Sequence, residues 1–153
     1  MTREIKFRGK NKKNGEWFYG NLYDKDISGR THICTTKKGC LDIDPDTVGQ
    51  FTGLLDKNGK EIYEGDIMGL PERDAKGVVY KNRYIRVVEW INDGFFLLDH
   101  CVMGGEVRKY GGSLALEISL NSNYAGIARC FKNMGLDYTV IGNIHDNPEL
   151  LKD

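Results

Sequence analysis

Residues 51–68 read FTGLLDKNGKEIYEGDIM. An apolar run, the pair Asn58-Gly59, a second apolar pair at Ile62-Tyr63 and a Gly65-Asp66 turn follow one another there. Asn-Gly accepts positive φ at both central positions of a tight hairpin turn, and an aspartate after glycine can hold the amides of the next reversal with its side chain. The stretch is built to bend backbone, and it predicts a small β-barrel-like unit around itself.

The same grammar extends in both directions. REIKFRG (3–9) alternates Ile5 and Phe7 with Glu4, Lys6 and Arg8, the period of a half-buried strand. Asn14-Gly15 then turns the chain into an aromatic strand through Trp17, Phe18 and Tyr19. THICTT (31–36) and CLDID (40–44) repeat the scheme, and Pro45 closes it. Downstream, LPERDAKG (70–77) reads as a polar surface loop. The β-branched and aromatic run at 77–90 and the run FFLL (95–98) are joined at Asn92-Asp93-Gly94, a hairpin signal. SLALEISL (113–120) alternates as a strand does. NYAGIARCFKNMG (123–135) carries Tyr124, Ile127, Ala128, Phe131 and Met134 at helical spacing, with Ser122 or Asn123 as cap and Gly135 as terminator. YTVIGNI (138–144) is a final strand, and Asn147-Pro148 opens a closing helical turn.

Composition narrows the class. A chain of 153 residues is one ordinary domain or two small ones, long enough to bury its own core. Nineteen glycines against three prolines favour tight turns and therefore strands. Twenty-two basic and twenty-two acidic residues cancel, so no global field draws the chain onto nucleic acid. Locally, residues 1–13 hold six cations against one anion, and residues 41–74 nine anions against three cations. These read as two solvated faces, or as halves of a head-to-tail contact between copies. No run of eighteen apolar residues exists and MTREIKFRGK lacks a signal-peptide core, so a cytoplasmic protein with no membrane segment is expected. In that compartment Cys34, Cys40, Cys101 and Cys130 are expected to be reduced thiols.

Three segments taken together, REIKFRG at the start, TVGQFTGLLDKNGKEIYEGDIM followed by VVEW in the middle, and VIGNIHDNPELL at the end, resemble the YopX family of small bacteriophage and prophage proteins. The resemblance departs at residues 20–40 and above all at 99–135. It implies phage or prophage origin, a mostly β fold with an SH3-like part and oligomerisation, and it brings no catalytic residue. The matching positions Gly53, Gly59, Tyr63, Gly65, Asp66, Gly142, Asn143 and Pro148 are mainly turn formers, whose chemistry is that of folding. The expected architecture is thus mainly β with one or two short helices, an N-terminal β-hairpin region over 1–46 and an SH3-like β-barrel region over 47–153 that carries an inserted strand and helix near 99–135.

Several chemistries compete with a purely structural role for the same residues. Lys6, Arg8, Lys10, Lys12 and Lys13 near Trp17, Phe18 and Tyr19 combine phosphate contacts with stacking rings, as nucleic-acid binding requires. Aromatics in hairpins more often form cross-strand pairs. His32 with Cys34 and Cys40, or His100 beside Cys101, have no zinc-module spacing. Asp42, Asp44 and Asp46 open like a calcium loop, but Thr47 and Gly53 stand where glycine and glutamate are needed. Asp66, Asp99, His100 and His145 are the only acid/base set, and no phosphate-cradling glycine loop accompanies them. The reading is therefore a non-enzymatic interaction or assembly module with no cofactor or metal, forming homo-oligomers or binding another protein. Nucleic-acid binding through the basic N-terminal hairpin is the alternative.

Overall fold

The computed structural model describes residues 4–91, 94–103, 106–110 and 138–152. These form a mainly β protein of two antiparallel open sheets, and the chain divides into two compact units, Met1–Gly53 and Leu54–Asp153. Among the described residues there is no α-helix and no helix long and apolar enough to cross a membrane.

In the first unit β1 (Phe7–Lys10) and β2 (Trp17–Tyr23) pair antiparallel, with Lys10 opposite Trp17. The turn between them reverses at Gly15, which takes φ 71° and donates its N–H to the Asn11 carbonyl at 2.8 Å; Asn14 does not take positive φ, so the expected turn with positive φ at both central positions is not formed. β3 (His32–Thr35) and β4 (Gly39–Asp42) add the next hairpin, and a 3-10 turn at Pro45–Thr47 leads into β5 (Gly49–Leu55). Asp44 caps that turn through its carboxylate, which accepts from Asp46 N–H at 3.2 Å. The core of this unit is Phe18, Ile33 and Ile43, with Phe7, Leu22, Leu41 and Val48 packed against it. Gly9 faces into it, and a Cβ there would collide with Ile43 Cγ2, so close packing permits only glycine.

The first sheet has the order β4-β3-β2-β1-β5-β6, where β6 is Glu61–Tyr63. The second unit holds β7 (Asp66–Arg73), β8 (Val79–Ile91), β9 (Gly94–Met103), β10 (Glu106–Tyr110) and β11 (Thr139–Asn143), in the order β10-β9-β8-β7-β11. Its core is Ile62, Met68, Val88 and Tyr138, joined by Leu54, Leu70 and Val140. A second 3-10 turn, Pro148–Leu151, has proline at its start as expected.

Three expectations need correction. The SH3-like barrel is not closed among the described strands: β10 and β11 end the second sheet, and a barrel requires its end strands to pair. The loop expected over 70–77 is strand in its first half and turn in its second. Leu70, Pro71, Glu72 and Arg73 continue β7 because the long β8 offers a partner at each, down to Arg73 opposite Val79, and the reversal contracts to Asp74–Gly77. Asn147 does not cap Pro148–Leu151 with its side chain; its Oδ1 accepts from Asn143 N–H at 3.3 Å instead. The expected strand at 113–120 and helix at 123–135 lie outside the described residues. The 99–110 part of the expected insertion contains the end of β9 and all of β10.

One turn design recurs. At Asp26, Asp56 and Asp74 the sequence is Asp-x-x-Gly, the glycine has φ of 75°, 79° and 80°, and its N–H donates to the aspartate carbonyl. In all three the aspartate Oδ1 accepts from the amides two and four residues on: Ser28 and Arg30, Asn58 and Lys60, Lys76 and Val78. The side chain occupies the acceptor position that water would otherwise take, and glycine supplies the positive φ.

Candidate functional site

The matched turn formers of the second unit come together where β7 pairs with β11. Asp66 stands opposite Asn143 and Ile67 opposite Gly142. Gly65, at φ 80°, donates to the Val88 carbonyl at 2.8 Å while its own carbonyl accepts from Ile144 N–H at 2.9 Å. The Asp66 side chain is 1% exposed and its Oδ2 accepts from Tyr63 N–H at 2.8 Å. Tyr63 is equally buried and its hydroxyl donates to Glu61 at 2.7 Å. Asn143 Oδ1 accepts from the amides of His145 and Asp146 at 3.0 and 2.9 Å, and its amide nitrogen donates to Asp146 Oδ2 at 2.9 Å. A Cβ on Gly142 would lie 2.6 Å from Asn147 Oδ1, so that contact needs a glycine. Gly53 (φ 85°) lies in β5, Gly59 is the glycine of the Asp56 turn, and Pro148 begins the second 3-10 turn. Asp99 and His100 stand in β9, opposite Arg86 and Lys109. Among the described residues no group of three or more His, Cys, Asp or Glu could hold a metal ion.

Asp56 is a residue the sequence reading passed over. It is 7% exposed, and while Oδ1 holds its own turn, Oδ2 accepts from Val140 N–H at 3.0 Å, 84 residues away. The recurrent Asp-x-x-Gly pattern was the available signal for the turn. Nothing in the sequence announces the bond to Val140.

In the first unit, strand alternation sorts β1 and β2 into two faces. Phe7, Gly9 and Phe18 turn inward, while Arg8, Lys10, Trp17 and Tyr19 share the other face. The Arg8 guanidinium lies 4.7 Å and the Lys10 ammonium 5.5 Å from the Trp17 ring centroid, and Lys6 lies 5.3 Å from that of Phe51. A cation over a ring face is held by the ring quadrupole, by roughly 0.5–2 kcal/mol depending on desolvation. Arg8 is only 5% exposed. Of the cations singled out in the sequence, Arg8 and Lys10 therefore gather at Trp17, Lys6 sits over Phe51, and Lys12 lies apart, exposed and 3.9 Å from Asp42. Farther along the same face of β2, Tyr19 is 44% and Tyr23 62% exposed, with exposed Asn21 between them.

Next to that row the structure corrects the thiol expectation. Cys34 and Cys40 form a disulfide across the β3–β4 hairpin. The three-residue turn Thr36–Lys38, closed by Gly39 at φ 71°, sets Cys34 directly opposite Cys40, a register that spacing alone did not reveal. The bond removes both sulfurs from any ligand set with His32. His32 lies 3.9 Å from Asp26. The Ser28 hydroxyl, and then the Arg30 backbone N–H, lower the Asp26 carboxyl from 3.8 to about 2.

Two open antiparallel sheets whose buried carboxylates are turned onto backbone amides define a mainly β protein with structural turn chemistry at its matched positions. The chain belongs to the YopX protein family, whose pattern matches residues 6–152. The crystal structure of protein EF1440 from Enterococcus faecalis is similar in fold, with TM-score 0.50 and 24% sequence identity over 99% of this chain and 100% of that one. No curated protein matches.

Proposed function

We propose that the chain is a non-enzymatic interaction module that binds a protein partner through the outward strip Tyr19-Asn21-Tyr23 of β2. The observation that carries this is the exposure of two aromatic rings on one strand face, 44% and 62%. Tyrosine gives large rigid contact area with a polar tip and is enriched at protein interfaces. Covering both rings would contribute about 5 kcal/mol at 25 cal/mol/Å², before the cost of ordering the complex. That is enough to anchor a contact and too little to account for a tight complex alone. The engagement of Asp56 and Asp66 by backbone amides supports a non-enzymatic role, since these carboxylates are committed to folding. Membership of the YopX family supports a phage or prophage origin and action in the bacterial cytoplasm, with homo-oligomers as one form the contact takes.

A second reading, single-stranded nucleic acid stacked on the same rings, is favoured by the alternation of Lys10, Trp17 and Arg8 and opposed by the burial of Arg8, which keeps its guanidinium from phosphate. One experiment separates them. The tagged chain is recovered from bacterial host cells with and without nuclease, beside a Tyr19→Ala/Tyr23→Ala variant. A protein that survives nuclease and is lost from the variant supports the leading reading. Recovery abolished by nuclease, with oligonucleotide affinity falling steeply as salt rises, replaces it by the second. Recovery equal in the variant refutes the strip as the binding face.

A further inference from the structure

We infer that the Cys34–Cys40 disulfide is a thiol-exchange site, opened by attack of a small thiol or a dithiol reductant on Cys40. Ile43 N–H donates to the Thr31 carbonyl, so bonded pairs alternate along the hairpin and Cys34↔Cys40 falls at a non-hydrogen-bonded position, where Cβ atoms approach most closely. Both sulfurs stand on the face of the sheet opposite the Ile33-Leu41 pair. Cys40 is exposed and Cys34 half-buried.

Direction of attack then distinguishes the two sulfurs. Thiolate substitution proceeds along the S–S axis, from the side away from the leaving sulfur. The bond runs across β3 and β4, and β4 ends the strand order among the described residues. A thiolate reaching Cys40 therefore comes in over the open edge of the sheet. One reaching Cys34 must come in over β2, where Asn21 stands opposite Cys34. In the favoured step the incoming thiolate forms a bond to Cys40 Sγ, the Sγ–Sγ bond breaks, and its electron pair leaves on Cys34 Sγ as thiolate. A second thiolate attacking the mixed disulfide releases Cys40 as thiolate and carries the oxidation away as a small-molecule disulfide. Two thiols are oxidised and one protein disulfide is reduced.

The open form has lost a covalent closure beside the strip Tyr19-Asn21-Tyr23, and an adduct on Cys40 would stand in the row that runs through Cys34 to Asn21. That consequence for binding rests on the reading above; exchange itself does not.

The test uses the full chain in native buffer with reduced glutathione, followed by alkylation and mass spectrometry. Cleavage after Lys37 and Lys38 places Cys34 and Cys40 on separate peptides. Both sulfurs are expected to become alkylatable while the fold, followed by circular dichroism, stays intact. When the reaction of the intact disulfide with reduced glutathione is quenched early by alkylation, the mixed disulfide is expected on Cys40 with the alkyl label on Cys34, roughly tenfold over the reverse. Thiols that appear only after denaturant is added, or glutathione carried equally by the two cysteines, would overturn the inference. If exchange occurs and partner recovery does not change, the exchange site stands and only its link to the strip falls.

Discussion

Replacing Asp56 with alanine removes three acceptor contacts at once, to Asn58, Lys60 and Val140 N–H at 2.8, 2.9 and 3.0 Å. The first two amides belong to exposed turn residues and can turn to water, so each lost bond costs about 1 kcal/mol. Val140 is half-buried in β11, and its orphaned N–H adds about 1–3 kcal/mol. Asp56→Ala should therefore destabilise the protein by about 3–5 kcal/mol, a large share of the roughly 5–15 kcal/mol that holds a domain folded. The internal control is Asp74→Ala. The same turn is present there, with Lys76 and Val78 N–H both 2.9 Å from the carboxylate, so the loss should stop at about 2 kcal/mol. Urea unfolding followed by circular dichroism measures both, and the excess of the first over the second reads the bond between the hairpin and β11. If Asp56→Ala costs no more than Asp74→Ala, the carboxylate does not tie the turn to Val140 and the reasoning fails.

Gly9→Ala should cost about 1–3 kcal/mol through collision with Ile43, whereas Gly59→Ala, with open space around it but φ 79°, should cost about 1 kcal/mol from backbone strain alone. Unfolding midpoints of the pair that rank the other way would count against the packing argument. Trimming Ile43 to valine alongside Gly9→Ala should recover part of the loss, which a double-mutant cycle detects. The folded Asp26 carboxyl titrates near 2, below its ordinary 3.8, so it favours the folded loop above 3.8 and that contribution fades as pH falls toward 2. An NMR titration of the Asp26 carboxyl with a midpoint near 3.8 would remove the assignment. Ser28→Ala should raise that midpoint, because the Ser28 hydroxyl is the largest cause of the shift.

Turns and strand faces could be read from residues close together in the chain, and family membership from three such segments taken in order. Gly15 and Gly59 take the positive φ that the two Asn-Gly pairs offer, although Asn14 and Asn58 do not, and the alternation at 3–9 marks a strand that forms only from Phe7 onward, with Ile5 left exposed. Local steric preference and hydrophobic period act over a few residues, so a sequence carries them explicitly. The barrel expectation failed at longer range: closure depends on which end strands pair, and the open ends at β10 and β11 are a property of the sheet. The first half of the loop expected at 70–77 became strand for the same reason, since β8 supplied partners that local polarity did not foretell. The candidate site divides along this line. That Tyr19 and Tyr23 share a face follows from the strand period alone, but their exposure, the burial of Arg8, the meeting of Cys34 with Cys40 and the reach of Asp56 to Val140 were settled only when distant segments packed. Burial and partnership are relations between segments, and the energy that fixes them is released only on assembly of the sheets.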